Sequence, residues 1–72
     1  MACYAGLTDD VDRRRGEHGN PRDWQIIGPF LREAGAREWE QQQLAKLGVQ
    51  GGPGGAGWRY GYWYTITPQT IQ

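Results

Sequence analysis

The chain has 72 residues, which is room for one domain and too little for a second folding unit. Eight Lys and Arg balance eight Asp and Glu, and the net charge of zero argues against strong sequence-independent capture of nucleic acid and against a polybasic membrane anchor. The only cysteine, Cys3, excludes an internal disulfide, a four-cysteine zinc site and an iron–sulfur cluster.

Apolar segments give no sign of a membrane span or an export signal. The longest apolar run is far shorter than the roughly 20 residues that cross a bilayer. Met1 is not followed by a basic segment and an apolar run, so we expect a cytoplasmic protein with no membrane partner. Trp and Tyr number four each and Gly 12, so aromatic rings must supply much of a small core.

The first half of the chain predicts a strand, a helix and a second strand. Residues 4–7 indicate a short strand. Residues 9–18 indicate a helix with Thr8 as its N-cap, acids in its first turns and arginines later, which is the charge order that the helix dipole favours. A turn at 20–23 leads to a second strand at 24–30.

The second half predicts a helix, a connector and a third strand. Residues 31–47 are rich in helix formers, and Gly48 suits the C-cap. The glycine-rich residues 51–57 indicate a flexible connector, since a phosphate cradle would end in Gly-Lys-Ser/Thr and open a helix. Residues 58–66 alternate with period two, as a strand does. The predicted fold class is α+β: one domain over residues 1–72, with a small three-stranded, mainly antiparallel sheet, two helices and the order β-α-β-α-β.

The third predicted strand has two different faces. Tyr60, Tyr62 and Tyr64 share one face, which we expect to pack on the helices. Arg59 and Trp63 share the other face, and an exposed Trp63 would suit a base-stacking platform or a dimer surface.

The first predicted helix carries a basic stripe. Arg14, Arg15 and His18 follow Val11 by three, four and seven residues and therefore share its face. One interpretation is that the arginine stems cover apolar surface while their charged ends reach water. The other is that the ends of Arg14 and His18 converge near Tyr4, at the end of the first strand.

The second predicted helix carries a carboxylate on its apolar stripe. Glu40 follows Ala36 by four residues and lies between Trp39 and Leu44, whereas Glu38 points the opposite way, to solvent. A carboxylate on a buried line needs a partner. Glu40 therefore either pairs with an arginine at the edge of the stripe or ligates a metal ion.

Two segments resemble motifs of the GIY-YIG nuclease family. Residues 4–18 contain a Tyr-x-Gly that ends a strand, then a Thr, an Arg in the next helix and a His one turn later, as in the second half of that family's signature. Residues 36–40, Ala-Arg-Glu-Trp-Glu, resemble the family's Ala-x-x-x-Glu helix. Together the matching segments span about residues 4–47.

The resemblance implies a role for each of four residues. Tyr4 would position or deprotonate the attacking water, Arg14 would stabilise charge on the scissile phosphate, and His18 would assist proton transfer or phosphate binding. Glu40 would hold one divalent cation, with Mg²⁺ as the expected cofactor. The implied activity is endonucleolytic hydrolysis of phosphodiester bonds in DNA or RNA.

The family's first motif, a Gly-Ile-Tyr strand, is missing before Tyr4, where only three residues stand. Residues 61–67 look loosely like that strand, and moving the family's first strand to the end of the chain gives the order predicted here. We therefore expect a permuted domain in which the third strand fills the place beside residues 4–7. In this alignment Trp63 stands at the motif's tyrosine position.

Two other functions fit the same sequence. A non-catalytic module that kept the fold would grip nucleic acid through Arg13, Arg14 and Arg15 and stack bases on Trp63 or Tyr62. A small interaction protein would form a homodimer through an open sheet edge.

Overall fold

The computed structural model describes residues 2–52 and 57–71, in which two helices accompany a four-stranded mixed sheet. The elements are β1 (Cys3–Thr8), α1 (Val11–Glu17), β2 (Gln25–Ile27), α2 (Glu33–Leu44), β3 (Val49–Gln50) and β4 (Tyr60–Thr65). The predicted α+β class is confirmed, and the prediction of three strands is wrong. The additional strand, β3, has only two residues, which is too short to show an alternating pattern.

The sheet has the strand order β2-β4-β1-β3. β4 lies antiparallel to both β1 and β2, and β3 lies parallel to β1. The register of β1 and β4 runs without interruption from Cys3 opposite Thr65 to Thr8 opposite Tyr60. The predicted pairing of residues 58–66 with residues 4–7 is therefore confirmed as strand topology.

Residues directly opposite each other in a ladder share a face of the sheet. Tyr64 lies opposite Tyr4 and Tyr62 lies opposite Gly6, so both tyrosines share the face of Tyr4. Trp63 lies opposite Ala5, on the other face.

α2 lies on the face of the sheet opposite the tyrosines, which corrects the expectation that both helices would pack on the tyrosine face. The Trp39 ring of α2 lies 6.2 Å from the Trp63 ring and passes over Gly61, where an added Cβ would lie 2.5 Å from that ring. The residue that follows α1, His18, packs on the tyrosine face instead. Trp63 is therefore partly covered by α2 and keeps 37% of its surface exposed.

The first helix begins later than predicted because Asp10, and not Thr8, is its N-cap. Asp10 is the N-cap, and its carboxylate accepts the Arg13 N–H at 3.0 Å. Thr8 instead ends β1, and its hydroxyl oxygen accepts the Asp10 N–H at 3.0 Å. The result is a tight turn that sends the chain from the sheet directly into α1.

Two other element ends differ from the prediction. β2 stops at Ile27 because Gly28 takes a φ of +117° and Pro29 follows it. α2 is capped at Ala45, and Gly48, with a φ of +83°, lies in the turn before β3.

The glycine-rich connector is described only in part. Residues 53–56 of the predicted segment 51–57 lie outside the described residues. Within residues 2–52 and 57–71, no helix is long and apolar enough to cross a membrane.

Candidate functional site

A tyrosine–histidine cluster, made of Tyr4, His18, Tyr62 and Tyr64, occupies one face of the sheet. The His18 ring lies 4.8, 5.4 and 5.1 Å from the rings of Tyr4, Tyr62 and Tyr64, centroid to centroid. All four residues are buried, with Tyr62 and Tyr64 at 1% and 0% exposure. Burial of each of these two side chains contributes roughly 3 kcal/mol.

Hydrogen-bond partners at both ring nitrogens of His18 bear on which tautomer the ring adopts. Its Nδ1 lies within hydrogen-bond distance of the Ile71 carbonyl oxygen, which can only accept, so Nδ1 carries the proton. Nε2 then has a free lone pair and accepts the hydroxyl proton of Tyr62 at 2.9 Å. The Tyr64 hydroxyl lies 2.8 Å from Nδ1 and donates to the Ile71 carbonyl at 3.2 Å.

Two glycines make room for the phenols of this cluster. A Cβ added at Gly6 would lie 2.5 Å from the Tyr62 hydroxyl oxygen. A Cβ added at Gly52 would collide with the Tyr4 hydroxyl. Unlike those of Tyr62 and Tyr64, the Tyr4 hydroxyl has no hydrogen-bond partner among residues 2–52 and 57–71, so it is available to water or a ligand.

Trp24 closes the cluster on the side of β2. Its ring stacks on Tyr62 with centroids 4.5 Å apart and an interplanar angle of 21°. Its Nε1 is buried and has no hydrogen-bond partner within the part of the chain that the structure describes. The indole therefore contributes to the cluster through ring packing.

Burial is the largest cause of the raised pKa values of Tyr62 and Tyr64. Burial, and then the nearby charge of Tyr4, raise the pKa of Tyr64 to about 12. The pKa of Tyr62 is raised further by the same two causes, and Glu40 adds to the rise while Arg14 opposes it. Both phenols are neutral hydrogen-bond donors at physiological pH.

Arg14 lies close enough to Tyr62 and Tyr4 for these residues to affect its pKa, but among the described residues its side-chain hydrogen bond is to Glu17. Its guanidinium donates to Glu17 at 3.0 Å, and this hydrogen bond raises the Arg14 pKa, with smaller contributions from the charges of Tyr62 and Tyr4. Together with Arg13 and Glu17 it lines a groove of about 440 Å³. A cation therefore lies in a groove near the buried phenols.

Glu40 is half-buried on α2, as its position on the apolar stripe predicted. Its nearest cation is Arg37, one turn earlier, at 4.0 Å, and Arg37 also pairs with Glu33 at 3.2 Å. No hydrogen bond or ion pair among the described residues joins Glu40 to Tyr4, Arg14 or His18. Glu40 belongs to α2, which lies on the opposite face of the sheet from the cluster. Among the described residues, its link with the cluster is its electrostatic effect on Tyr62.

The residues predicted to contact nucleic acid do not form one surface with the cluster. Arg13 lines the groove beside Arg14. Arg15 turns away, and its Nε and one terminal nitrogen donate to the Pro21 carbonyl at 3.3 and 3.1 Å. Trp63 lies on the opposite face of the sheet, against Trp39. Among these three residues, the structure brings only Arg13 beside the candidate site.

A protein cage for a metal ion is absent from the described residues. No group of three or more His, Cys, Asp or Glu side chains converges within residues 2–52 and 57–71. The candidate ligand is one half-buried carboxylate, Glu40. A single carboxylate is too few for a structural zinc ion, which needs four protein ligands, whereas Mg²⁺ is often held by one or two carboxylates together with water and substrate phosphates.

Sequence reasoning missed Tyr62 and Tyr64 as members of the site. It treated them as core residues or, for Tyr62, as a base-stacking ring. The register supplies the missing signal: once β4 pairs antiparallel with β1, alternate residues of β4 must face Tyr4.

Comparison of the chain with protein-family models, with curated proteins and with solved structures found no match.

Proposed function

We propose that this protein is a GIY-YIG-like endonuclease that hydrolyses phosphodiester bonds of nucleic acid with one divalent metal ion. The observation that carries the proposal is the hydrogen bond from the Tyr62 hydroxyl to His18 Nε2, within a buried cluster that also contains Tyr4 and lies near Arg14. Phenol, imidazole and guanidinium groups can supply the proton transfer and charge stabilisation that phosphodiester hydrolysis needs.

The Tyr62–His18 pair provides a path for the proton of the attacking water. Tyr62 accepts a proton from water while its own proton passes to His18 Nε2, so no free phenolate forms, in keeping with the raised pKa of Tyr62. The water oxygen forms a bond to phosphorus. The bond from phosphorus to the leaving oxygen breaks, and that oxygen keeps the electron pair and takes a proton from solvent.

Tyr4 and Arg14 act on the substrate rather than on the proton. The Tyr4 hydroxyl, which has no partner in the described part of the chain, orients the water by hydrogen bonding. Arg14 neutralises charge that accumulates on the phosphate oxygens. It must exchange its ion pair with Glu17, which is exposed and therefore inexpensive to break.

Glu40 is the residue that would hold the cation. A bound Mg²⁺ supplies charge neutralisation at the phosphate. The carboxylate lies 4.0 Å from an Arg37 nitrogen, at the outer limit of an ion pair, so a cation would compete with a long contact rather than a tight one.

Cleavage of supercoiled plasmid in Mg²⁺ tests this function. We expect wild type to nick the plasmid and EDTA to stop the reaction. Glu40→Gln should lower the rate roughly 100-fold, the scale on which single electrostatic groups act in such sites. Glu38→Gln, on the solvent side of the same helix, is the matched control and should cleave like wild type. An intact plasmid at every Mg²⁺ concentration, or equal rates for the two variants, would contradict the proposal.

A second candidate function, a non-catalytic binding or dimerising module, is favoured by a different observation. Arg14 is paired with Glu17, and both ring nitrogens of His18 are engaged, so these groups are also satisfied without a substrate. Such a module would shift nucleic acid in a gel in EDTA, with affinity that falls steeply as salt rises. A homodimer would sediment at twice the chain mass without any ligand.

A further inference from the structure

A strap of residues 67–71 follows β4 and lies against the tyrosine–histidine cluster. The N–H and the hydroxyl of Thr70 donate to the Thr67 carbonyl at 3.1 and 2.9 Å. The Thr67 N–H donates to the Thr70 hydroxyl oxygen at 3.0 Å. These three hydrogen bonds close the strap into a defined turn.

The Ile71 main chain joins the strap to the cluster. Its N–H donates to the His18 carbonyl at 3.0 Å, and its own carbonyl accepts from His18 Nδ1 and from the Tyr64 hydroxyl. A carbonyl has no proton to give, whereas a hydroxyl can donate or accept. Of the two groups near Nδ1, only the Ile71 carbonyl therefore restricts where the ring carries its proton.

Gly19 allows the strap to approach this closely. Its φ is +82°, and an added Cβ would lie 2.6 Å from the Gln69 carbonyl oxygen. A side chain at position 19 must push the strap away from His18. Gly16 provides a contrast, because a Cβ added there meets nothing within 4 Å.

We propose that the strap is a positioning device, in which the Ile71 carbonyl fixes the His18 tautomer and so makes Nε2 the acceptor of the Tyr62 proton. Its consequence for hydrolysis rests on the proposed function, whereas the tautomer itself is measured without substrate.

Nitrogen-15 NMR of the imidazole ring tests the proposal directly, because His18 is the only histidine of the chain and its signals need no assignment. At a pH where the ring is neutral, we expect wild type to show one tautomer, with the proton on Nδ1. Tyr62→Phe and Tyr64→Phe should keep that tautomer, since neither removes the Ile71 carbonyl. Gly19→Ala should convert it to a mixture of the two tautomers, and Gly16→Ala should not.

These measurements distinguish a strap that sets the His18 tautomer from a strap that only stabilises the fold. A wild-type ring protonated on Nε2, or a Tyr64→Phe variant that loses the Nδ1 tautomer, would overturn the proposal, and both can be observed even if Gly19→Ala fails to fold. If the plasmid is not cleaved but the ring spectra behave as expected, the proposed nuclease function fails and the strap stands. If cleavage occurs, Gly19→Ala should lower kcat with little change in KM.

Discussion

At the scale of single residues, polar groups rather than aliphatic side chains organise the core. His18, Tyr62 and Tyr64 each bury a polar group that has found a partner. A buried donor or acceptor left unpaired costs about 1–3 kcal/mol, which exceeds the net gain of a typical hydrogen bond. Loss of one member of the network therefore also penalises its partners, and the network forms as a unit.

Gly6→Ala tests how tightly this network is packed. The new methyl group would lie 2.5 Å from the Tyr62 hydroxyl, so Tyr62 must move away from His18. We expect a loss of about 1–3 kcal/mol in the free energy of unfolding, measured by urea denaturation. Gly16→Ala, in a helix with open space around it, should stabilise the protein by about 0.5–1 kcal/mol. Equal stability of Gly6→Ala and wild type would show that the ring has room to spare.

At the scale of elements, a carboxylate beyond the end of β1 holds the start of β4. Asp9 accepts the N–H groups of Trp58 and Arg59, both at 3.1 Å. These two residues lie just before β4, where the chain returns from the glycine-rich connector. Asp9 therefore holds β4 in the register that brings Tyr62 to His18.

Asp9→Ala should weaken this junction. Removing an acceptor of two N–H groups is expected to cost about 1–3 kcal/mol and to speed hydrogen exchange of the first amides of β4. Asp12→Ala, at an exposed position in the first turn of α1, removes the same charge without touching β4. Unchanged exchange in β4 of the Asp9→Ala variant would mean that strand pairing alone sets the register.

The elements that the sequence predicted well are those with a strong period. The alternation of residues 58–66 identified β4. The absence of a strand before Tyr4 led to the prediction that β4 pairs with residues 4–7, as it does. The assignment of helices to faces failed because β4 is aromatic on both faces, with Trp63 on one and Tyr62 on the other, so its pattern does not say which face α2 covers.

In the candidate site, only relationships between residues close in sequence could be predicted. The helical spacing of Arg14 and His18 predicted that both would approach Tyr4. The structure shows this approach for the His18 ring, 4.8 Å from the Tyr4 ring, while the Arg14 guanidinium pairs with Glu17. Of the two alternatives for Glu40, the structure shows an ion-pair contact with Arg37 at 4.0 Å, and metal ligation stays a prediction. The contact between the His18 ring and Ile71 joins residues 53 positions apart, and no local pattern encodes it.

At the scale of the whole molecule, the two buried phenols make stability depend on alkaline pH. Their folded-state pKa values lie above the value of about 10 of an unfolded tyrosine, with Tyr64 at about 12. Above pH 10 the unfolded chain therefore loses protons that the folded chain keeps. This contribution to stability is complete below pH 10 and is lost as the pH rises toward 12.

Thermal unfolding between pH 8 and 12 checks this linkage. We expect the Tm to stay level up to about pH 10 and then to fall. Tyr64→Phe removes one of the two phenols, so its Tm should fall less steeply over the same range, although it is less stable at neutral pH. A variant that follows the slope of wild type would place the alkaline transition elsewhere in the molecule.

Comparison of Tyr62→Phe with Tyr60→Phe in Mg²⁺-dependent plasmid cleavage tests most directly whether the tyrosine–histidine cluster carries out the chemistry. Both variants remove one hydroxyl from β4, but only Tyr62 donates to His18. We predict that Tyr62→Phe slows cleavage at least about 100-fold, the usual worth of a proton-transfer group, and that Tyr60→Phe cleaves like wild type. Cleavage by Tyr62→Phe at the wild-type rate would contradict a catalytic role for the cluster.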